Sequence, residues 1–97
     1  MIVGKYPLQI TEEQTVMMPF GAEILSVQFQ KDHNQRDNLQ LWALIDETST
    51  HMQHRKIRLM GTGPAHAVES RPGKFLGTVQ EAGGALIWHI FDATQQV

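Results

Sequence analysis

Cysteine is absent from this 97-residue chain. That removes disulfides, thiolate metal sites and a cysteine nucleophile, and it suits a reducing compartment. Basic residues are few: eight lysines and arginines face ten acidic residues, for a net charge of −2. No global basic field is therefore present to hold long nucleic acid. No apolar run approaches the roughly 18 residues of a membrane-crossing helix. Residues 1–7 lack a charged segment leading into a long apolar stretch, so no secretory leader and no membrane partner are expected. What remains is 41% hydrophobic and 19% charged residues. That is enough apolar material for one core, and a single domain over residues 1–97 is expected, located in the cytoplasm.

The apolar runs are short, rich in strand formers and separated by turn residues. Strands are expected at residues 2–10, 15–18, 22–30, 39–45, 55–60, 74–80 and 85–91. In the third, Leu25, Val27 and Phe29 alternate with Ser26, Gln28 and Gln30, the pattern of a half-buried antiparallel strand. In the fourth, Leu39, Leu41, Ala43 and Ile45 share one face while Trp42 and Leu44 share the other, which points to a central position. In the fifth, Ile57 and Leu59 face inward and Lys56 and Arg58 outward. Gly83-Gly84 marks a hairpin between the last two strands. A capping pattern from Thr11 to Gln14 competes for one helical turn before Pro19. Residues 93–97 read as a frayed tail. The expected fold is all-β, a small antiparallel sandwich or barrel of about seven short strands.

The sharpest local feature is Gly61-Thr62-Gly63-Pro64-Ala65-His66. Glycine permits positive φ and close backbone approach, and proline then fixes φ. Such a turn at a strand end is either a tight corner or a nest of backbone N–H groups for an anion. In the second reading the Thr62 hydroxyl and His66 add donors, and Lys56 and Arg58 add charge. The spacing is not that of a P-loop. His51, His54, Arg55, Lys56 and Arg58 form a local basic cluster, read either as a solvated strand face or as a grip for phosphate or an acidic surface. His89 sits among apolar neighbours and needs a partner, from backbone or a stacked ligand. Trp42 and Trp88 are read as core residues or as a stacking wall. The His51/His54 pair lacks a third ligand at a fixed spacing, so no metal is expected. Without a nucleophile motif no catalysis is expected, and no cofactor.

Several segments carry a resemblance: Lys5-Tyr6-x-Leu8; Val16-x-Met18-Pro19-x-Gly21-Ala22-x-Ile24-Leu25-x-Val27; Leu41-Trp42-Ala43-Leu44-Ile45-Asp46; Gly61-Thr62-Gly63; Phe75-Leu76-Gly77-Thr78; and Ala85-Leu86-Ile87-Trp88-His89-Ile90-Phe91. Across nearly its whole length the chain resembles a family of short phage and prophage proteins of unassigned activity. In that family a histidine directly follows Gly-Thr-Gly; here Pro64-Ala65 intervene before His66. The resemblance implies an accessory role against host defences, in the cytoplasm of the host cell. The leading expectation is a non-enzymatic counter-defence protein that sequesters a small anionic, nucleotide-like signal. Its binding residues would be Lys56, Arg58, Gly61, Thr62, Gly63 and His66, with Trp42 and His89 as ring contacts. The alternatives are a protein-binding inhibitor of a host defence complex and a virion or replication accessory protein. A homo-oligomer is expected from exposed strand edges and surplus aromatics.

Overall fold

Successive side chains on an extended backbone point to opposite sides, so alternating sequences build sheets with one wet and one dry face. The computed structural model describes residues 1–94 and, among them, contains seven strands and no α-helix. The strands are β1 (Ile2–Pro7), β2 (Glu13–Pro19), β3 (Glu23–Lys31), β4 (Asp37–Ile45), β5 (Met52–Met60), β6 (Lys74–Glu81) and β7 (Leu86–Asp92). All pairings are antiparallel, in one sheet of order β1-β4-β3 and another of order β2-β5-β7-β6. The two sheets have separate hydrogen-bond ladders. The molecule is 16 Å across its thinnest dimension, which fits two stacked backbone layers about 10 Å apart. The expected all-β architecture is the one observed.

The strand with apolar residues on both faces, β4, lies at the centre of the three-stranded sheet. Leu39, Leu41, Ala43 and Ile45 are buried, and Trp42 and Leu44 are half-buried on the other face. From the opposing sheet, Met18, Ile57, Leu59, Val79 and Ile90 complete the same core. Met18, Leu41, Ile57 and Ile90 are fully buried, each stabilising the fold by about 1.5–3 kcal/mol relative to exposure.

Four details differ from the sequence expectation, each for a local reason. The first strand stops at Pro7 rather than running to Ile10. The Leu8 N–H still donates to the Leu39 carbonyl at 2.9 Å. Beyond it Gln14 brackets Gln9: its amide donates to the Gln9 carbonyl at 2.7 Å and accepts from the Gln9 N–H at 2.9 Å. Gln14 is thus spent on a bend rather than on capping a helical turn, and the chain continues as β2. The β3–β4 register shifts between Ile24 and Ser26. This bulge carries Ile24 onto the core and leaves Leu25 49% exposed, while Val27 is buried as its alternation implies. Ala93 and Thr94 are not frayed. The Ala93 N–H donates to the Lys56 carbonyl at 2.8 Å, and the Thr94 hydroxyl accepts from the Lys56 N–H at 2.8 Å. The remainder of that expected tail, residues 95–97, lies outside the described residues.

The long connection between β5 and β6 holds only a single 3-10 turn, Pro64–His66. It returns to β6 at Gly73, whose φ is +124°. The β6–β7 hairpin turns at Gly83 and Gly84, with φ of +69° and +97°, a conformation that side chains with a Cβ resist.

Candidate anion-binding groove

Strand alternation sorts the cations of β5 into two groups. Lys56 and Arg58 point outward, opposite Thr15 and Glu13 of β2. Arg55 shares the inward phase with Ile57 and Leu59, where an unpaired charge is costly. Its partner is Asp92, on the inward phase of β7 with Ile90. The Arg55 Nη2 donates to Asp92 Oδ2 at 2.6 Å and Nε donates to the same oxygen at 3.2 Å. The remaining terminal nitrogen, Nη1, donates to the Ala22 carbonyl at 2.8 Å, just before β3. The side chains are 13% and 10% exposed, so the pair is largely desolvated, and through Ala22 Arg55 ties its sheet to the turn that leads into β3. Burial pushes the Asp92 carboxyl upward, but hydrogen bonds from Thr94 and Arg55 outweigh it and hold the group below its ordinary value.

Strand β7 ends at Asp92, opposite Ile57, and leaves the first half of β5 paired only with β2. The space beside it is bounded by the turn at Phe20-Gly21-Ala22 and by residues 70–74, forming a groove of about 1020 Å³. Arg55, Lys56, Arg58, Arg71 and Lys74 line it, five of the eight lysines and arginines in the chain. The lining carboxylates are Glu23 and Asp92. Glu13 stands beside the groove, 2.9 Å from Arg58 and 3.6 Å from Lys56. The Arg58 hydrogen bond is the main reason its carboxyl sits below the ordinary value. Among the described residues, no carboxylate lies within ion-pair distance of Arg71 or Lys74. Guanidinium and ammonium groups around one concavity suit charge-assisted hydrogen bonds to oxyanions.

The residues singled out in the sequence divide between this groove and other places. Lys56 and Arg58 line it, and Arg58 also borders a smaller cavity of about 420 Å³ together with His66 and Glu13. The Gly61-Thr62-Gly63 turn does not line the groove. The Thr62 hydroxyl is 2.8 Å from His89 Nε2, and the Thr78 hydroxyl is 3.0 Å from His89 Nδ1. His89 therefore has both ring nitrogens partnered and pins the turn to the outer face of β6 and β7. The His66 ring stands so close over Gly61 that an added Cβ would lie 2.6 Å from Nε2. That contact is the local reason for glycine at position 61. Trp42 lies on the outer face of the other sheet, opposite Lys5 and Ser26, and borders neither cavity. Trp88 packs against the core with its ring N–H unpartnered. Sequence reasoning placed Arg55 only in the basic cluster of β5, without its partner, and missed Arg71, Lys74, Asp92 and Phe20. Arg55 and Asp92 are charges on the apolar phase of their strands, but their pairing shows only once β5 and β7 are neighbours.

A family model described as "Domain of unknown function (DUF7352)" matches residues 1–97. The chain belongs to the DUF7352 family. No curated protein and no solved structure matches it. In this DUF7352 chain no helix among the described residues is long and apolar enough to cross a membrane. Among those same residues, no group of three or more His, Asp or Glu side chains is placed to hold a metal ion.

Proposed function

We propose that this protein is a non-enzymatic binding protein that holds a small anionic ligand in the groove between the Phe20-Gly21 turn and residues 70–74. The observation that carries this reading is the gathering of five of eight cations into one concavity of a chain whose net charge is −2. Low-dielectric walls lined by one sign of charge focus the field and raise the local concentration of opposite charge. Relative to the sequence expectation, the proposed site keeps Lys56 and Arg58 and replaces the Gly-Thr-Gly turn with Arg71 and Lys74. The wider proposal, sequestration of a host signal by a phage-type counter-defence protein in the host cytoplasm, rests on the family resemblance.

Calorimetric titration with inorganic phosphate, pyrophosphate and nucleotides tests the reading. Binding is expected for at least one of them, weakening as ionic strength rises because salt screens exposed charges. Arg71→Ala and Lys74→Ala are each expected to weaken it by about 1.5–3 kcal/mol, the range for hydrogen bonds to charged groups. Absence of heat from every anion at low salt sinks the proposal. A second reading, a protein-binding inhibitor of a host defence complex, is favoured by Met17, Met52 and Phe75, all more than half exposed on the outer face of the four-stranded sheet. It predicts that serine at these three positions leaves anion titrations unchanged and abolishes binding to the partner.

A further inference from the structure

The groove has one aromatic wall. Phe20 lines it and is 67% exposed. A single exposed aromatic on a protein surface is ordinary, so its setting decides what it means. The Ala22 N–H donates to the Pro19 carbonyl at 3.1 Å, and Gly21 has φ of +81°. This is a tight turn with glycine at its third position, where type II geometry demands positive φ. The Phe20 N–H donates to the His51 carbonyl at 2.9 Å, tying the turn to the strand start of β5. The Ala22 carbonyl is held by Arg55 on the other side. The backbone carrying the ring is therefore fastened on both flanks while the ring itself stays in solvent. Beside it, the space over Gly21 is open to 4 Å.

Charge defines the rest of the ligand. Among the described residues, the five groove cations are set against Glu23 and Asp92 in the lining and Glu13 at its edge, an excess of two positive charges. Among the described residues Arg71 and Lys74 are the two without a carboxylate at ion-pair distance, and they lie close together in sequence, Arg71 near the end of the β5–β6 connection and Lys74 at the start of β6. A cationic groove beside an accessible aromatic face is the combination that holds phosphate and a stacked ring together.

We infer that the ligand is a ring-bearing phosphate carrying about two negative charges, a nucleotide in chemical class, with its ring on Phe20 and its phosphate at Arg71 and Lys74. The inference rests on the anion-binding reading of the groove and adds Phe20 as the residue that selects ring-bearing anions over bare ones. Either a free mononucleotide or a dinucleotide supplies this chemistry, and titration distinguishes them.

The test titrates the full chain with pyrophosphate, a nucleoside monophosphate, a dinucleotide and a short single-stranded oligonucleotide, using the wild type, Phe20→Ala and Phe20→Trp. At least one of the two small nucleotides is expected to bind roughly tenfold or more tightly than pyrophosphate. Phe20→Ala is expected to erase that margin without changing pyrophosphate binding, and Phe20→Trp to keep it. Thermal melts confirm that both variants fold, and the tryptophan variant keeps the inference testable if the alanine variant does not. Equal binding of pyrophosphate and nucleotides, unaffected at Phe20, overturns the ring inference and leaves the anion groove standing. No binding by any ligand overturns both. An oligonucleotide that binds far more tightly than the dinucleotide, with a steep salt dependence, overturns the small-ligand form.

Discussion

Arg55 and Asp92 form the joint on which the groove rests. Breaking a buried pair by removing one partner leaves a desolvated charge and typically costs about 3–5 kcal/mol. Asp92→Asn is expected to lower stability by that order in urea denaturation. The pH dependence follows from the lowered Asp92 pKa. A carboxyl whose folded pKa lies below its unfolded value contributes stability above the unfolded value and loses it as pH falls through the folded one. The contribution is therefore complete above about pH 4 and disappears under more acid conditions. The asparagine variant is expected to show a shallower acid limb, and an acid limb as steep as that of the wild type would count against the pairing. These two residues also mark what the sequence made legible. Lys56 and Arg58 were readable as outward cations because alternation alone places them. The Arg55–Asp92 pair was hidden because its meaning depends on which strands become neighbours, and β5 and β7 are separated in sequence by β6.

Among the elements, seven strands and their turns were readable because apolar alternation and glycine punctuation act locally. The bulge at Leu25 was not, because it answers to packing between sheets. Its counterpart is the register shift of β6 between Phe75 and Gly77. A Cβ at Gly77 would stand 3.1 Å from Val27 Cγ2, so glycine there lets β6 pass close to β3. Residues 67–73 escaped a functional reading for the same reason. Arg71 and Lys74 carry no periodic signal and acquire a role only when the connection folds against the end of β7. Gly73 is what allows that approach: with φ of +124°, any Cβ would collide with the Asp92 carbonyl. Gly73→Ala is expected to destabilise the fold by more than the roughly 0.5 kcal/mol that bounds an ordinary surface change. It is also expected to weaken pyrophosphate binding by displacing Lys74. Unchanged melting and unchanged titration would show that the connection does not position the cations.

For the molecule as a whole, the sheet edges carry the remaining proposal. Strand β1 ends one sheet and β2 ends the other, and β1 presents Ile2 and Val3 about half exposed. Unpaired backbone beside apolar side chains invites pairing with another chain, and a homo-oligomer is proposed on that ground. Light scattering is expected to give a multiple of the monomer mass, and Val3→Lys to return it to the monomer. A monomer at all concentrations would remove the oligomer from the proposal. The charged groove does not depend on that outcome, since every residue assigned to it comes from one chain.

The clamp from Arg55 to the Ala22 carbonyl has a mechanical corollary. It fastens the Phe20–Ala22 side of the cleft to β5, so that wall swings outward only by breaking a charge-assisted hydrogen bond. A wall fastened in this way would forfeit little motion on binding the proposed anion. If the proposed anion binds, slower amide exchange is expected at Phe20 and Ala22, whose N–H groups hold that wall in place.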